Sequence, residues 1–341
     1  KYGTSIAIFK NGEFMGAQKL TENNEARKFL EVGGYLYLGS QKWNADGVIL
    51  RWNGDESDLP DSLFEFAEVG IIDGEAAWLE SYKGRIYAIT WPSAFIGGGD
   101  GFKLFRSPLI PDCGLTEEDA FEWELVFSYS DYDPNPVTNQ LAGGGAMIVY
   151  QDALYFGSMH VPFQHKCANP ADMINCSLEK YNHTQAFSVF KLEEDEEGTV
   201  DIECLFGKDY GGTLVPTLGA PGFGNPYNNY FWSVSVHDGW LYVGTMDFSR
   251  FLVDALAAYG LPFIPGIFKP YEAFGFDLWA TNDGVTWQKV AVDRFGNEFN
   301  WRARQIPAAR DSRCPGTPNP LHSSSPAGSE LWPGVPPHPS A

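Results

Sequence analysis

Short runs in which apolar and polar residues alternate recur along most of the chain, and they come in pairs. A period of two marks half-buried strands rather than helices. Val32-Gly33-Gly34-Tyr35-Leu36-Tyr37-Leu38-Gly39-Ser40 reads as the end of one strand, a tight turn and a second strand. The pattern returns at Tyr82–Thr90, Tyr150–Ser158 and Val236–Thr245, each with Gly or Asp in the turn. Its tyrosines fall at Tyr37, Tyr87, Tyr155 and Tyr242, and the widening spacing measures insertions. After each hairpin a third strand is predicted, at Gly47–Asn53, Phe102–Ser107, Ala186–Leu192 and Phe274–Thr281. A fourth follows at Phe64–Val69, Trp123–Tyr129, Val200–Phe206 and Trp287–Asp293.

Repeated units of four antiparallel strands predict an all-β fold, a β-propeller. A solenoid would need shorter, more regular periods. The chain ends fit the same scheme. Ser5–Lys10 resembles a third strand and Phe14–Leu20 a fourth, while Phe295–Asn300 repeats the Phe223–Asn228 motif that leads into the fourth unit. Trp301–Ile306 is then the first strand of a fifth blade shared by both termini, which removes open sheet edges. Five four-stranded blades over residues 1–306 are expected. The alternative is a larger ring completed by further sequence. Residues 307–341 carry nine prolines and the run Ser323–Ser325, and are expected to form an irregular tail.

Thr281-Asn282-Asp283-Gly284-Val285-Thr286-Trp287 resembles the Asp-box, the [ST]-x-D-G-x-x-W turn of sialidase-like (BNR-repeat) propellers. In that family the box joins the third and fourth strands of a blade, and here it falls at that place. The first three units lack it. The resemblance implies a fold, and the box is a structural turn away from the family's active site.

Strand order assigns loops to edges. The long connections between second and third strands, and those between units, share one edge; the two- or three-residue hairpin turns share the other. Loops beyond about 12 residues are usually functional or disordered, so the site is expected on the long-loop edge, at the mouth of a central channel. Residues entering or leaving there include Glu25, Arg27, Glu75, Trp91, His160, Trp232 and Asp247. Glu25, Glu75 and Asp247 are the acid/base candidates, with His160 assisting. Paired carboxyls of this kind suit glycoside chemistry, one protonating the leaving oxygen and another activating water or attacking. Arg27, Trp91, Trp232 and Asn228 are the candidate substrate contacts. The same carboxyls also suit structural pairing with Arg27, Arg304 or Lys42, and Trp232 suits packing between blades.

Composition narrows the partners. The 341 residues carry 44 Asp and Glu against 23 Lys and Arg, a net charge of −21. That excess disfavours nucleic acid and anionic membranes. The 15% aromatic content suits an ordered core. The longest apolar stretch, Phe251–Ile267, is broken by Asp254, Gly260, Pro262 and Pro265, so no membrane span is expected. Cys167 and Cys176 lie nine apart in a polar loop and are expected to form a disulfide, leaving Cys113, Cys204 and Cys314. Asn175-Cys176-Ser177 and Asn182-His183-Thr184 are glycosylation sequons in that loop. Together they predict an extracellular protein. No metal or cofactor is expected. Calcium is the one candidate considered, for the alternating Asp131, Asp133 and Asn135. The expected ligand is a carbohydrate, with a protein partner as the alternative.

Overall fold

The computed structural model describes residues 4–20, 22–43, 46–54, 65–92, 101–140, 142–160, 185–249, 260, 275–291, 303, 306, 316–319 and 328–331. The described chain is nearly all β and its strand pairs are antiparallel. It divides into two compact units.

Unit 1 spans Lys1–Val149 with Gln164–Ala168. It opens with the hairpin of β1 (Thr4–Lys10) and β2 (Glu13–Leu20). The first full repeat is a sheet of β3 (Asn23–Val32), β4 (Tyr35–Lys42), β5 (Gly47–Trp52) and β6 (Phe66–Ile72), paired in chain order. The second repeat is a like sheet of β7 (Glu75–Tyr82), β8 (Arg85–Trp91), β9 (Lys103–Arg106) and β10 (Glu124–Ser128). Two four-residue helices, α1 (Tyr129–Tyr132) and α2 (Pro136–Asn139), lead to β11 (Ala142–Tyr150). Alternation makes the core: Tyr37, Ile49, Val69, Leu79 and Ile86 are all fully buried and pack in one cluster. The β1–β2 hairpin seats Ile6 against Leu38, Val48 and Leu50 of the first repeat.

Unit 2 spans Tyr150–Phe163 with Asn169–Ala341. There β12 (Ala153–His160), β13 (Val189–Glu194) and β14 (Val200–Phe206) pair in order, as do β15 (Asn228–His237), β16 (Trp240–Asp247), β17 (Leu278–Thr281) and β18 (Gln288–Ala291). A single pair, Met159 with Tyr230, joins the two sets. Among the described residues of 307–341, β19 (Gly316–Asn319) pairs with β20 (Gly328–Leu331). A two-stranded sheet leaves each strand an unpaired edge, where Pro318 needs no N–H.

The hairpin turns share one geometry. Both residues have positive φ at Asn11-Gly12, Gly33-Gly34, Lys83-Gly84, Gln151-Asp152 and Asp238-Gly239. That is the two-residue turn whose twist matches paired strands. The β9–β10 connection on this edge, Ser107–Trp123, is long and holds a 3-10 turn at Glu117–Phe121 capped by Thr116 and Asp119. Long loops are therefore not confined to the opposite edge.

Each residue of the repeated signature has a separate task. The tyrosine reaches forward to the next repeat's connection between third and fourth strands. Tyr37 Oη accepts the Leu115 N–H at 3.1 Å, and Tyr155 Oη lies against Gly284 of the Asp-box turn. The glycine meets the next repeat's first strand: a Cβ on Gly39 would come 2.6 Å from the Ala76 carbonyl oxygen, and one on Gly157 would overlap Phe231. The hydroxyl residue three after the tyrosine serves its own repeat. Thr90, Ser158 and Thr245 accept the N–H of Lys103, Ser188 and Asp277 at 2.8–2.9 Å, at or just ahead of the third strand. Buried polar groups need such partners.

The Asp-box closes the β17–β18 turn. Asp283 accepts N–H groups from Val285 and Thr286 at 2.9 and 2.6 Å, which holds its carboxyl down at about 2. Trp287 packs edge-on against Phe206 and tilted against Phe223, 5.9 and 5.3 Å between ring centroids.

Candidate functional site

In unit 1 the structure brings together Glu25, Arg27, Glu75 and Trp91. Glu25 and Arg27 stand near the start of β3, Glu75 starts β7, and Trp91 ends β8 directly opposite Glu75. All four therefore lie at the edge where first strands enter and second strands leave. Arg27 is the hinge of the cluster. Its Nη1 donates to Glu25 at 3.0 Å, and its guanidinium lies 3.6 Å from the centre of the Trp91 ring. Stacking on an aromatic face suits the planar, weakly hydrated guanidinium. Trp91 is held in turn by its indole N–H, which donates to the Gly144 carbonyl at 2.7 Å.

Glu75 is the buried member. Arg27 Nε lies 3.0 Å from Glu75 Oε1, close enough for an ion pair, yet this oxygen receives no well-directed hydrogen bond. Burial pushes the Glu75 carboxyl up to about 7; Arg27 pulls it down, and the adjoining Glu25 carboxyl pushes it up again. Glu25 is the exposed member, its side chain 43% accessible against 7% for Glu75. Arg27 thus bridges two carboxyls that also touch each other. A glycosidase pair stands about 5–10 Å apart to admit a sugar or a water, so these two do not form that arrangement.

In unit 2 Asp247 and Asn228 fall in a second polar network. Asn225 Nδ2 lies 3.0 Å from Asp247 Oδ2 and 3.3 Å from Asp277 Oδ2, and Asn228 Nδ2 donates to Asp277 Oδ2 at 3.0 Å. Lys289 Nζ pairs with Asp277 Oδ1 at 2.9 Å. Asp247 Oδ1 accepts from the Ser249 N–H at 2.8 Å and from the Ser249 hydroxyl. Both aspartates are buried, and both are saturated by donors. Asn225 and Asn228 follow a strained turn in which Gly222 and Phe223 have φ of 63° and 56°. Positive φ on a bulky residue is a genuine outlier and costs about 1–3 kcal/mol. Packing holds it: Phe223 stacks on Trp279 at 4.8 Å and meets Phe187 and Phe206 edge-on.

His160, at the end of β12, is 1% exposed, and burial drops its ring to about 3. Its Nε2 shares a 3.1 Å hydrogen bond with Ser158 Oγ. At neutral pH the ring is uncharged and weakly basic, which ill suits proton transfer. The sign of its pH effect follows. The folded value lies below the unfolded 6.5, so stability is intact above pH 6.5 and is lost as pH falls toward 3. The slope from this group is about 1.4 kcal/mol per pH unit. Urea unfolding from pH 7 to 5 should show His160→Gln losing less stability than wild type over that range; equal losses would contradict the buried neutral ring.

Trp232 packs against Tyr230, ring centroids 4.2 Å apart, beside the β15–β16 pairing. Asp133, one of the calcium candidates, is buried and uses its carboxylate within its own turn, accepting the Asn135 N–H at 3.1 Å and the Thr138 hydroxyl at 2.6 Å. Among the described residues no group of three or more His, Cys, Asp or Glu is arranged to hold a metal. Cys113 and Cys204 are free thiols. Cys167, Cys176, Asn175, Asn182, Cys314, Arg302 and Arg304 lie outside the described residues. Among described residues no helix is long and apolar enough to cross a membrane.

Asp277, Asn225 and Lys289 were not among the residues expected from sequence. Asp277 stands 49 residues from Asn228 and 52 from Asn225, and only the turn at Phe223 brings them together. The one signal available was the repeated Phe-Gly-Asn motif itself.

No protein-family model and no curated protein matches the sequence. Among solved structures, similarity is found to a GH43_1 enzyme from Xanthomonas citri complexed with xylose, at 11% identity and TM-score 0.35, covering 97% of this chain and 90% of that one. An exo-β-1,3-galactanase from Clostridium thermocellum aligns at 10% identity and TM-score 0.38, over 89% of this chain and 57% of that one. A Bacillus subtilis family-43 arabinoxylan arabinofuranohydrolase aligns at 10% identity and TM-score 0.36, over 77% of this chain and 51% of that one. The chain thus spans about half the length of this last structure. At such scores and identities these likenesses assign neither a family nor an activity.

Proposed function

We propose that the chain is a five-bladed β-propeller that binds an extracellular carbohydrate at the edge where first strands enter and second strands leave. Recurrence of four-stranded antiparallel repeats supports the propeller. So does the segment at Ala303, which meets Gly244 as Ala76 meets Gly39: a Cβ on Gly244 would come 2.6 Å from Ala303 Cβ, and Ser233 Oγ donates to the Ala303 carbonyl at 2.8 Å. Such a contact supports a fifth repeat whose first strand runs through Ala303. The β1–β2 hairpin, seated on the first repeat, is suited to supply that blade's outer strands. The two sequons support secretion.

One observation carries the carbohydrate reading: Arg27, Glu25 and Trp91 form a partly exposed polar and aromatic group braced from behind by buried Glu75. Carboxylate and guanidinium groups pair with sugar hydroxyls, and an aromatic wall suits a sugar ring. Contact between the two carboxyls supports binding rather than cleavage at this cluster. The donor-saturated Asp247 and Asp277 favour a second reading, a non-enzymatic scaffold that presents its loops to a protein.

A panel of polysaccharides separates the two. Affinity electrophoresis with wild type and Glu75→Gln should show retardation by at least one polysaccharide, altered in the variant. If no member retards or is cleaved by wild type, the carbohydrate reading fails and the scaffold stands.

A further inference from the structure

We propose that Glu25 is a charge filter: its carboxylate admits uncharged glycans to the Arg27 cluster and turns away those bearing uronate or sulfate. This rests on the carbohydrate reading above. Cations are what normally receive an anionic sugar, and among the described residues Arg27, Lys42 and Lys103 at this edge are already engaged. Arg27 gives one edge to Glu25 at 3.0 Å, another to Glu75 at 3.0 Å, and a face to Trp91 at 3.6 Å. Lys42, at the end of β4, is held by Glu68 at 2.6 Å. Lys103, at the start of β9, is held by Asp73 at 2.5 Å.

The acidic members differ in what they present. Glu75 is sealed in, and its Oε1 receives no directed hydrogen bond. Glu25 is the outward one, 43% accessible, its Oε2 paired with Arg27. Its accessible carboxylate offers a ligand a charged acceptor oxygen. Hydroxyl groups donate to such an oxygen; a carboxylate or sulfate brings only acceptors and a like charge. The whole-chain charge of −21 adds to the repulsion at a distance.

The test compares three named probes at 0.15 M salt, a Debye length of about 8 Å: xylohexaose, hexagalacturonate and a heparin hexasaccharide, titrated calorimetrically into the whole chain. Wild type should bind the neutral probe about tenfold or more tighter than either anion, a gap of about 1.4 kcal/mol or more. Glu25→Gln should narrow that ratio to about threefold, a loss of roughly 0.7 kcal/mol of discrimination. As a second measurement without mutation, 1 M salt, with a Debye length of about 3 Å, should narrow the wild-type ratio as well. Equal or tighter binding of the anions by wild type overturns the filter and leaves carbohydrate binding intact. So does a ratio unmoved by both Glu25→Gln and salt. Binding of no probe, with no ligand in the wider panel, overturns the carbohydrate reading itself.

Discussion

Gly157→Ala should lower the unfolding free energy by about 3 kcal/mol, the upper part of the overpacking range. The added methyl overlaps Cβ and Cγ of Phe231, on the strand that packs against β12. Phe231 is itself fully buried and meets Phe187 edge-on at 5.7 Å, so its ring has no room to retreat. Relief must come from moving one strand off the other, which opens voids that close-packed interiors penalise. Gly144→Ala has the same cause seen from the opposite strand. Its Cβ overlaps the Ile89 side chain and comes 2.9 Å from the Thr90 carbonyl oxygen. Ile89→Ala removes the side-chain part of that conflict, so the double variant should lose less than the sum of the singles. Gly212→Ala is the control: nothing lies within 4 Å of that Cβ, and its effect should stay within about 0.5 kcal/mol. Chemical denaturation midpoints read every one of these variants. A Gly157→Ala protein as stable as the Gly212→Ala control would overturn the packing of successive repeats described above.

Arg27→Met is expected to be the most damaging change at the polar cluster, and its cost should depend on pH. Removing one partner of a fully buried ion pair costs about 3–5 kcal/mol, because a charge is left stranded; with Arg27 25% accessible beside the 7% accessible Glu75, the cost here belongs at the lower end, about 3 kcal/mol. Glu75 is that charge only when ionised. Its folded value of about 7 lies above the unfolded 4.5, so the group's contribution is intact below pH 4.5 and is lost as pH rises through 7. At about 1.4 kcal/mol per pH unit this amounts to roughly 3 kcal/mol across the window. Arg27→Met should therefore be severe at pH 8 and milder at pH 5. Glu75→Gln should reverse the trend, gaining on wild type as pH rises from 5 to 8. Thermal midpoints of the two variants against wild type at both pH values decide the matter; parallel losses at pH 5 and 8 would show that Glu75 is not the stranded group.

Strand placement was legible because its cause is local. Alternation and turn residues located the four second strands closely, and β14 lies where it was expected. The signature's Tyr, Gly and Ser or Thr were visible as a repeat, but their tasks were not. Tyr37 acts on Leu115, and that depends on how successive sheets stack rather than on neighbours in the chain. The candidate site shows the same boundary. Glu25 and Glu75 were recognised as acid/base candidates, yet one arginine joins them only because β3 lies beside β7. Asp277 gave no local signal. It opens the third strand of its repeat, and its role comes from asparagines about 50 residues away.

The forward direction of the signature contacts bears on how the chain is made. Tyr37 finds its partner at Leu115, 78 residues later. At about 5–20 residues per second, a ribosome takes roughly 4–16 s to supply it. Gly39 likewise has no strand to face until Ala76 has emerged. The first hairpin therefore leaves the exit tunnel with its tyrosine and bare glycine still uncovered, and the repeat behind it completes the seal. Assembly in that order resembles shingling a roof, where every course stays open to the weather until the following one overlaps it.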